Sequence, residues 1–264
     1  MTSSSILTRS PRISVAMIVF NEEKNLPRTL QSIAWADEIV VVDSGSTDNT
    51  EVIARAAGAR FSYHREFVGH GEQKNIAIDR CTGDWILLLD ADEVVTPGLK
   101  VEIRDAVKAE EYAGYWIPRL NLFLHRWMRH GGLYPDRKLR LFRRNTTRLQ
   151  EGVGPHATPI CNGRIGALNS HLLHYAYPNF SAYIQHMNKY SSEIADARKM
   201  SYSNPNGAFL KAFVNPVADF IRNYLLLAGF LDGREGLLFH VNHALYVHWK
   251  YAKLWIESSE ALHR

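Results

Sequence analysis

Residues 85–93 read WILLLDADE. Trp85 to Leu89 are apolar without a break, and Asp90, Asp92 and Glu93 follow with only Ala91 among them. An apolar run this short, bounded by polar residues, predicts a strand buried on both faces, as in a parallel sheet. Three carboxylates at its end repel one another, so the cluster costs stability unless something cationic shares the place. The stretch sets two expectations, a parallel sheet and a cation at its edge.

The same pattern recurs upstream. ISVAMIVF (13–20) is a continuous run rich in β-branched residues and leads into Asn21 and Glu22; EIVVVD (38–43) closes on Asp43. Between them, Leu26, Leu30 and Ile33 recur at helical spacing, with Pro27 tolerable in a first turn. After Asp43 comes SGSTD, with Asp48 suited to capping, then Val52, Ile53, Ala56 and Ala57 as an expected apolar stripe. ARFSYHR (59–65) predicts a third strand and GEQKNIAIDRC (71–81) a further helix. Strands and helices alternating at short spacing mean a parallel sheet with right-handed crossovers. In such sheets ligands bind beyond the carboxyl ends of the strands, where this chain gathers its acids.

Downstream of about residue 115 the rhythm breaks. YWIPRLNLFLHRWMRHGGLYPDRKLRLFRRN is aromatic and basic, with Gly131-Gly132 and Tyr134-Pro135 marking turns and KLRLF (138–142) alternating like a half-buried strand. Past Pro178 the pattern is helical again, and the last segment reads as two amphipathic helices joined near Asp232-Gly233.

Composition narrows the classes. The chain has 264 residues, 46% hydrophobic and 22% charged, as in a soluble globular protein of one large α/β domain or one domain with an appendage. A net charge of +4 is too mild to indicate nucleic acid. Cys81 and Cys161 have no partners at metal-ligand spacing, so neither a disulfide scaffold nor structural zinc is expected, and a reducing compartment is. The N-terminus lacks the apolar stretch of a signal peptide, and no run reaches the ~20 apolar residues that span a bilayer.

Asp90-Ala-Asp92 offers hard oxygen ligands that suit Mg²⁺ or Mn²⁺, ions that keep positions open for substrate phosphates. The alternative is that Asp92 or Glu93 caps the next turn. Asp43 can accept from a ribose hydroxyl or a base N–H, or cap the helix after SGSTD. Neither GxGxxG nor GxxxxGK[ST] is present, so a diphosphate would need a metal and basic side chains, and Lys74 is placed to help.

Together, VAMIVFNEEKNL, IVVVDSGSTDNT, Gln73-Lys74-Asn75 and ILLLDADE resemble the nucleotide-binding half of family-2 glycosyltransferases of the GT-A fold. GLYPDRKLRLFRR, the His156 region, LLHYAY and LLLAGFLDGREG resemble the bacterial subgroup that adds glucose to the lipopolysaccharide inner core. The resemblance implies an α/β fold, a GT-A (Rossmann-like), mostly parallel sheet flanked by helices with a C-terminal helical appendage. It implies a flexible N-terminus (1–11), a nucleotide-sugar-binding half (12–100), an acceptor-binding half of the same domain (101–180) and a helical region open to membrane association (181–264).

Residue by residue, the resemblance implies Phe20 against uracil, Asn21 and Glu22 beside it, Asp43 bonded to the base, Lys74 facing the nucleotide, Asp90 on the ribose side and Asp92 on the metal. Core packing is the other reading of Phe20. His156 keeps the subgroup's histidine, as a metal or diphosphate contact or as a hydrogen-bonded loop residue. Ala157 stands where the subgroup carries a Glu, which leaves Asp136 and Glu151 as candidates for the base. The expected reaction is an inverting transfer of glucose from UDP-glucose, dependent on Mg²⁺ or Mn²⁺, to a lipid-linked saccharide such as an inner-core heptose. The basic stretch Arg119 to Arg148 suits an anionic glycolipid acceptor or a solvated face. Tyr246, Trp249, Lys250, Tyr251, Lys253 and Trp255 suit either an interfacial anchor or a packed helical subdomain. The expected place is the cytoplasmic face of the bacterial inner membrane, with peripheral contact. A nucleotidyltransferase and a non-catalytic sugar-nucleotide or glycolipid binder are the rival readings.

Overall fold

The computed structural model describes residues 10–67, 69–150, 157–177, 179–199 and 205–262. The chain divides into two compact units, Met1–Ile117 with Lys138–Gln150 and Pro159–Leu172, and Pro118–Arg137 with Glu151–Thr158 and Leu173–Arg264.

The first unit holds the α/β fold that the apolar runs predict. Its elements begin with β1 (Ile13–Val19), α1 (Leu26–Ile33), β2 (Glu38–Asp43), α2 (Thr50–Ala56), β3 (Arg60–Tyr63), α3 (His70–Asp79), β4 (Trp85–Asp90), β5 (Glu93–Val95) and α4 (Pro97–Ala106). Then follow β6 (Gly114–Phe123), β7 (Arg126–Met128), β8 (Asp136–Arg143), β9 (Thr147–Gln150), β10 (Thr158–Cys161), β11 (Ile165–Ala167) and β12 (Leu172–His174), of which β6 up to Ile117, β8 from Lys138, β9, β10 from Pro159, β11 and Leu172 of β12 belong to this unit. The sheet runs β3-β2-β1-β4-β8-β6-β12-β5. Its first four strands are parallel and β8 is antiparallel to β4.

Both faces of the central strands are covered, which is why their sequences do not alternate. Ile13, Val15, Met17 and Val19 share one core with Trp85, Leu87 and Leu89, closed by Leu26, Leu30 and Ile33 of α1 and Leu99 and Ile103 of α4. The intervening Ala16, Val40, Val42, Ile86 and Leu88 are equally buried, and α3 packs on β1 and β2. Each such large apolar side chain contributes about 1.5–3 kcal/mol by leaving water.

Two expectations fail here. The buried side of α2 is Thr50 and Ala54; Val52, Ala56 and Ala57 face solvent. Of the expected stripe only Ile53 packs on the core, half-buried beside Ala54, and alanines exposed to water cost little. Leu139 to Phe142 are buried in succession rather than alternately, because β8 lies between β4 and β6 inside the sheet.

The second unit is mainly helical, with α5 (Phe180–Lys199), α6 (Pro205–Phe220), a π-helical turn (Ile221–Leu226), a 3₁₀ turn (Gly229–Asp232) and α7 (Gly233–Leu262). The junction near Asp232-Gly233 is where the sequence places it. Asp232 is buried and clasps the unit: Oδ2 accepts from the Arg129 and His130 amides at 2.9 and 2.8 Å, and Oδ1 lies 2.9 Å from His130 Nδ1. Tyr246 and Trp249 pack with Phe123, Met128, Tyr183 and Met187; Tyr251 and Trp255 pack with Ala195, Ala208 and Leu254. Lys253 Nζ donates to Asn188 and Ser191. These half-buried aromatics pack within the helical unit, as one of the two readings of the sequence expects. Among the described residues no helix is long and apolar enough to cross a membrane.

Candidate active site

The carboxyl edge of the first unit's sheet collects polar groups from three adjacent strands. Asp43 of β2 lies opposite Val19 and Asp90 of β4 opposite Ile18, so β1 separates them by two strand spacings, about 10 Å. Asp43 is fully buried. Its Oδ1 accepts from the backbone amides of Gly45 and Ser46, both at 2.6 Å, while its buried Oδ2 has no hydrogen-bond partner among the described residues. A buried carboxylate oxygen left unmet is costly, so this position favours a hydrogen-bond donor.

The acids of the opening stretch have the protein's own cations. Lys74 Nζ is 2.6 Å from Asp90 Oδ1, and Arg140 Nη2 pairs with Asp90 Oδ2 and, at 2.7 Å, with Glu93 Oε1. Glu93 Oε2 in turn accepts from the Asp90 amide at 3.1 Å. Glu93 and Arg140 are both buried. Burial works to lower the Arg140 pKa, but the charges of Asp90 and Glu93 together outweigh it and hold the guanidinium above its usual value. The cation expected at this edge is thus in the first place an arginine from the neighbouring strand, part of the basic stretch expected as an acceptor surface or a solvated face. Its signal was visible as one arginine inside the apolar run LRLF (139–142). Glu93 opens β5 and does not cap α4; Thr96 Oγ1 does, accepting from Leu99 N at 3.3 Å.

Phe20, just past β1, is 57% exposed, so it is not a core residue. Asn21 adopts φ 55°, and its Oδ1 accepts from Thr47 N at 2.8 Å while its own amide donates to Ser46 Oγ at 2.8 Å. Glu22 N donates to Thr50 Oγ1, and Asp48 Oδ1 accepts from Thr50 N, closing the first turn of α2 as the sequence suggests. These bonds staple the loop after β1 to the loop after β2. Burial, above all, pushes the Glu22 carboxyl pKa up, with the Asn25 amide opposing and the charges of Asp92, Asp48 and Asp90 adding. Asp92 is half-buried. Among the described residues no group of three or more His, Cys, Asp or Glu is arranged to hold a metal ion.

In the second unit, Asp136 Oδ2 accepts from Arg119 Nε at 2.9 Å and Nη2 at 2.7 Å. Glu151 and His156 lie outside the described residues. The rest of the basic stretch is largely engaged within each unit. Arg143 stacks on Trp85 and donates to the Tyr112 carbonyl, Arg148 pairs with Asp79, and Arg126 donates to the Leu231 carbonyl. Most of these charges serve the fold.

Comparison with known proteins adds three findings. The family model described as Glycosyl transferase family 2 matches residues 14–172. The chain is 29% identical over 254 residues to the lipopolysaccharide core biosynthesis glycosyltransferase LpsC of Rhizobium meliloti, covering 91% of this chain and 93% of that protein. Among solved structures it aligns with S. aureus TarS 1-349 at TM-score 0.49 and 16% identity, over 96% of this chain and 91% of that one.

Proposed function

The chain belongs to glycosyl transferase family 2, and from that premise we propose that it moves glucose, with inversion, from UDP-glucose to a lipid-linked lipopolysaccharide-core saccharide. The similarity to LpsC supports the acceptor class. The single observation that carries the donor reading is the buried, unpartnered Asp43 Oδ2 at the carboxyl edge of a parallel sheet, with exposed Phe20 on the next strand. Asp43 accepts from a base N–H and Phe20 lies against the flat face of the uracil. Asn21 and Glu22 hold the loop that frames the base. Lys74 orients Asp90 toward the ribose and adds positive charge near the diphosphate.

Asp92, with Glu22 close enough for the two charges to repel, supplies the hard carboxylate oxygens that Mg²⁺ or Mn²⁺ prefer, and such ions take one or two carboxylates plus substrate phosphates. These residues fit a divalent ion, and His156 is a further candidate to hold it. The ion would supply positive charge at the oxygens of the departing UDP. A carboxylate takes the acceptor hydroxyl proton as that oxygen attacks from the face opposite the leaving group. Asp136 and Glu151 are the candidates.

A screen of nucleotide-sugars with Mn²⁺ and acceptor, read as UDP release, tests this. UDP-glucose is expected to be the best donor, and EDTA to abolish its turnover. Pyrophosphate release from a nucleoside triphosphate, or UDP binding with no turnover for any donor, would contradict it.

The acceptor's lipid sets the place of work, the cytoplasmic face of the inner membrane. Support for a peripheral contact comes from residues that sequence reading passed over. Fifteen large apolar residues between Phe209 and Leu245 are exposed, among them Leu210 (63%), Val217 (60%) and Leu226 (75%). So many exposed large apolar side chains in one stretch mark an interaction site. Over the same span the exposed charged residues are Lys211, Arg222 and Arg234, all basic, while Asp232 is buried and Asp219 and Glu235 are half-buried. That pattern suits an anionic lipid surface. Phe213→Glu with Leu226→Glu is expected to weaken sedimentation with phosphatidylglycerol vesicles at least about tenfold, since each side chain is worth about 1.5–3 kcal/mol on burial. Undiminished sedimentation would count against the contact.

A further inference from the structure

The second unit contains a polar cavity that no part of the donor reading uses. Its volume is about 360 Å³, and its walls include Gly132, Asp219, Arg222, Asn223, His240 and His243. These residues come from two stretches far apart in the sequence, the Gly131-Gly132 turn and the α6–α7 region.

The polar groups form an ordered set. Asp219 Oδ2 lies 2.9 Å from His243 Nδ1, Asp219 Oδ1 accepts from Asn223 Nδ2 at 3.0 Å, and Asn223 Oδ1 accepts from Arg222 Nη1 at 3.0 Å. The Phe239 ring stacks on His243 at an interplanar angle of 10°, adding an apolar wall. His240 is 1% exposed, yet neither ring nitrogen has a hydrogen-bond partner among the described residues. A buried imidazole with two unmet nitrogens is costly unless a ligand meets them. The backbone is shaped around this ring. Gly131 and Gly132 take φ of 67° and 74°, and a Cβ on Gly131 would come within 2.1 Å of His240 Nε2. No side chain at Gly131 is compatible with His240 where it is.

The donor set selects the ligand. A metal cation is disfavoured by the Arg222 guanidinium and by the engagement of Asp219, the carboxylate in the cavity wall, with His243 and Asn223. A dense anion such as phosphate would face Asp219. Burial, and then the charge of His243, lowers the His240 pKa, with Asp219 and Asp232 opposing, so the ring is neutral and offers one donor and one acceptor. A hydroxyl offers the same pair in return. Carboxylate and amide oxygens, guanidinium and imidazole N–H groups, and an aromatic face together match a polyhydroxylated ring.

We propose that this cavity is a saccharide-binding site, in which His240, Asn223, Asp219 and Arg222 hydrogen-bond the hydroxyls of one sugar ring. It rests on the transferase reading only in taking that ring to be part of the saccharide acceptor. The binding itself is independent of sugar transfer.

The test uses the full chain labelled with ¹³C in its histidine rings. Titration with methyl β-D-glucopyranoside or methyl α-D-mannopyranoside is expected to shift the His240 and His243 ring signals, whereas inorganic phosphate, MgCl₂ and UDP leave them in place. His240→Phe is expected to weaken glycoside binding at least about tenfold, the effect of losing a buried hydrogen bond or two. Should His240→Phe fail to fold, Arg222→Gln at an exposed position gives a second readout, with weaker glycoside binding and an unchanged thermal midpoint. Asp92→Asn is expected to bind glycoside as the wild type does, so failure of the transferase reading leaves this site standing. Phosphate or UDP shifting the two rings, or no shift with either glycoside, would overturn the proposal.

Discussion

Replacing Arg140 with methionine is expected to destabilise the protein by about 3–5 kcal/mol, the scale for stripping one partner from a buried ion group. Arg140 pairs with Glu93, which has no exposure to water, and also with Asp90. Without the guanidinium, the first unit holds a buried carboxylate that has lost its charged partner. Adding Glu93→Leu to Arg140→Met should recover most of the loss, because an apolar pair replaces an apolar-charged mismatch. Urea unfolding of the two variants at pH 7 checks both statements. A single-variant loss below about 1 kcal/mol, typical of exposed ion pairs, would mean that this cluster does not hold the edge of the sheet together.

Asp92→Asn is expected to separate turnover from stability. Asp92 is half-buried at the same edge, and the proposal gives it the bond to the ion that grips the donor diphosphate. Asparagine keeps the shape and removes the charge. Loss of a ligand worth several kcal/mol of charge stabilisation predicts a fall in UDP release of about 10³-fold, with stability within about 1 kcal/mol of wild type. Arg140→Met should show the opposite division at permissive temperature, losing stability before it loses donor chemistry. If Asp92→Asn turns over UDP-glucose at near wild-type rate, the acid-ended strand has no part in gripping the donor.

Much of the first unit is legible from periodicity alone. Continuous apolar runs at 13–20, 38–43 and 85–90 become parallel neighbours, since only strands covered on both faces tolerate such sequences. The capping role of Asp48 and the core face of α1 are local features, and both stand as read. What escaped were long-range pairings. The Arg140 contact joins residues about 50 positions apart, and nothing in KLRLF tells an inward arginine from an outward one until β8 is known to lie beside β4. The sequence leaves the α7 aromatics open between an interfacial anchor and a packed subdomain, because Trp and Tyr suit both interfaces and cores. Their true partners, Phe123, Tyr183 and Ala208, come from other elements. The exposed residues at 209–245 are mainly aliphatic, with Phe209, Phe213 and Phe230 among them, and their spacing alone resembles any amphipathic helix. The polar cavity was invisible for the same reason, since Gly131 and His240 meet only in the folded second unit.

The central claim is that the acid-ended edge of the parallel sheet grips a UDP-sugar through its base and its diphosphate. A crystal of the full chain soaked with MnCl₂ and UDP measures this directly, by the anomalous signal of manganese. The account predicts the ion at about 2.0–2.2 Å from an Asp92 carboxylate oxygen and the uracil N–H on Asp43 Oδ2, beside Phe20. Manganese and UDP bound elsewhere, with Asp43 Oδ2 still unmet, would contradict it.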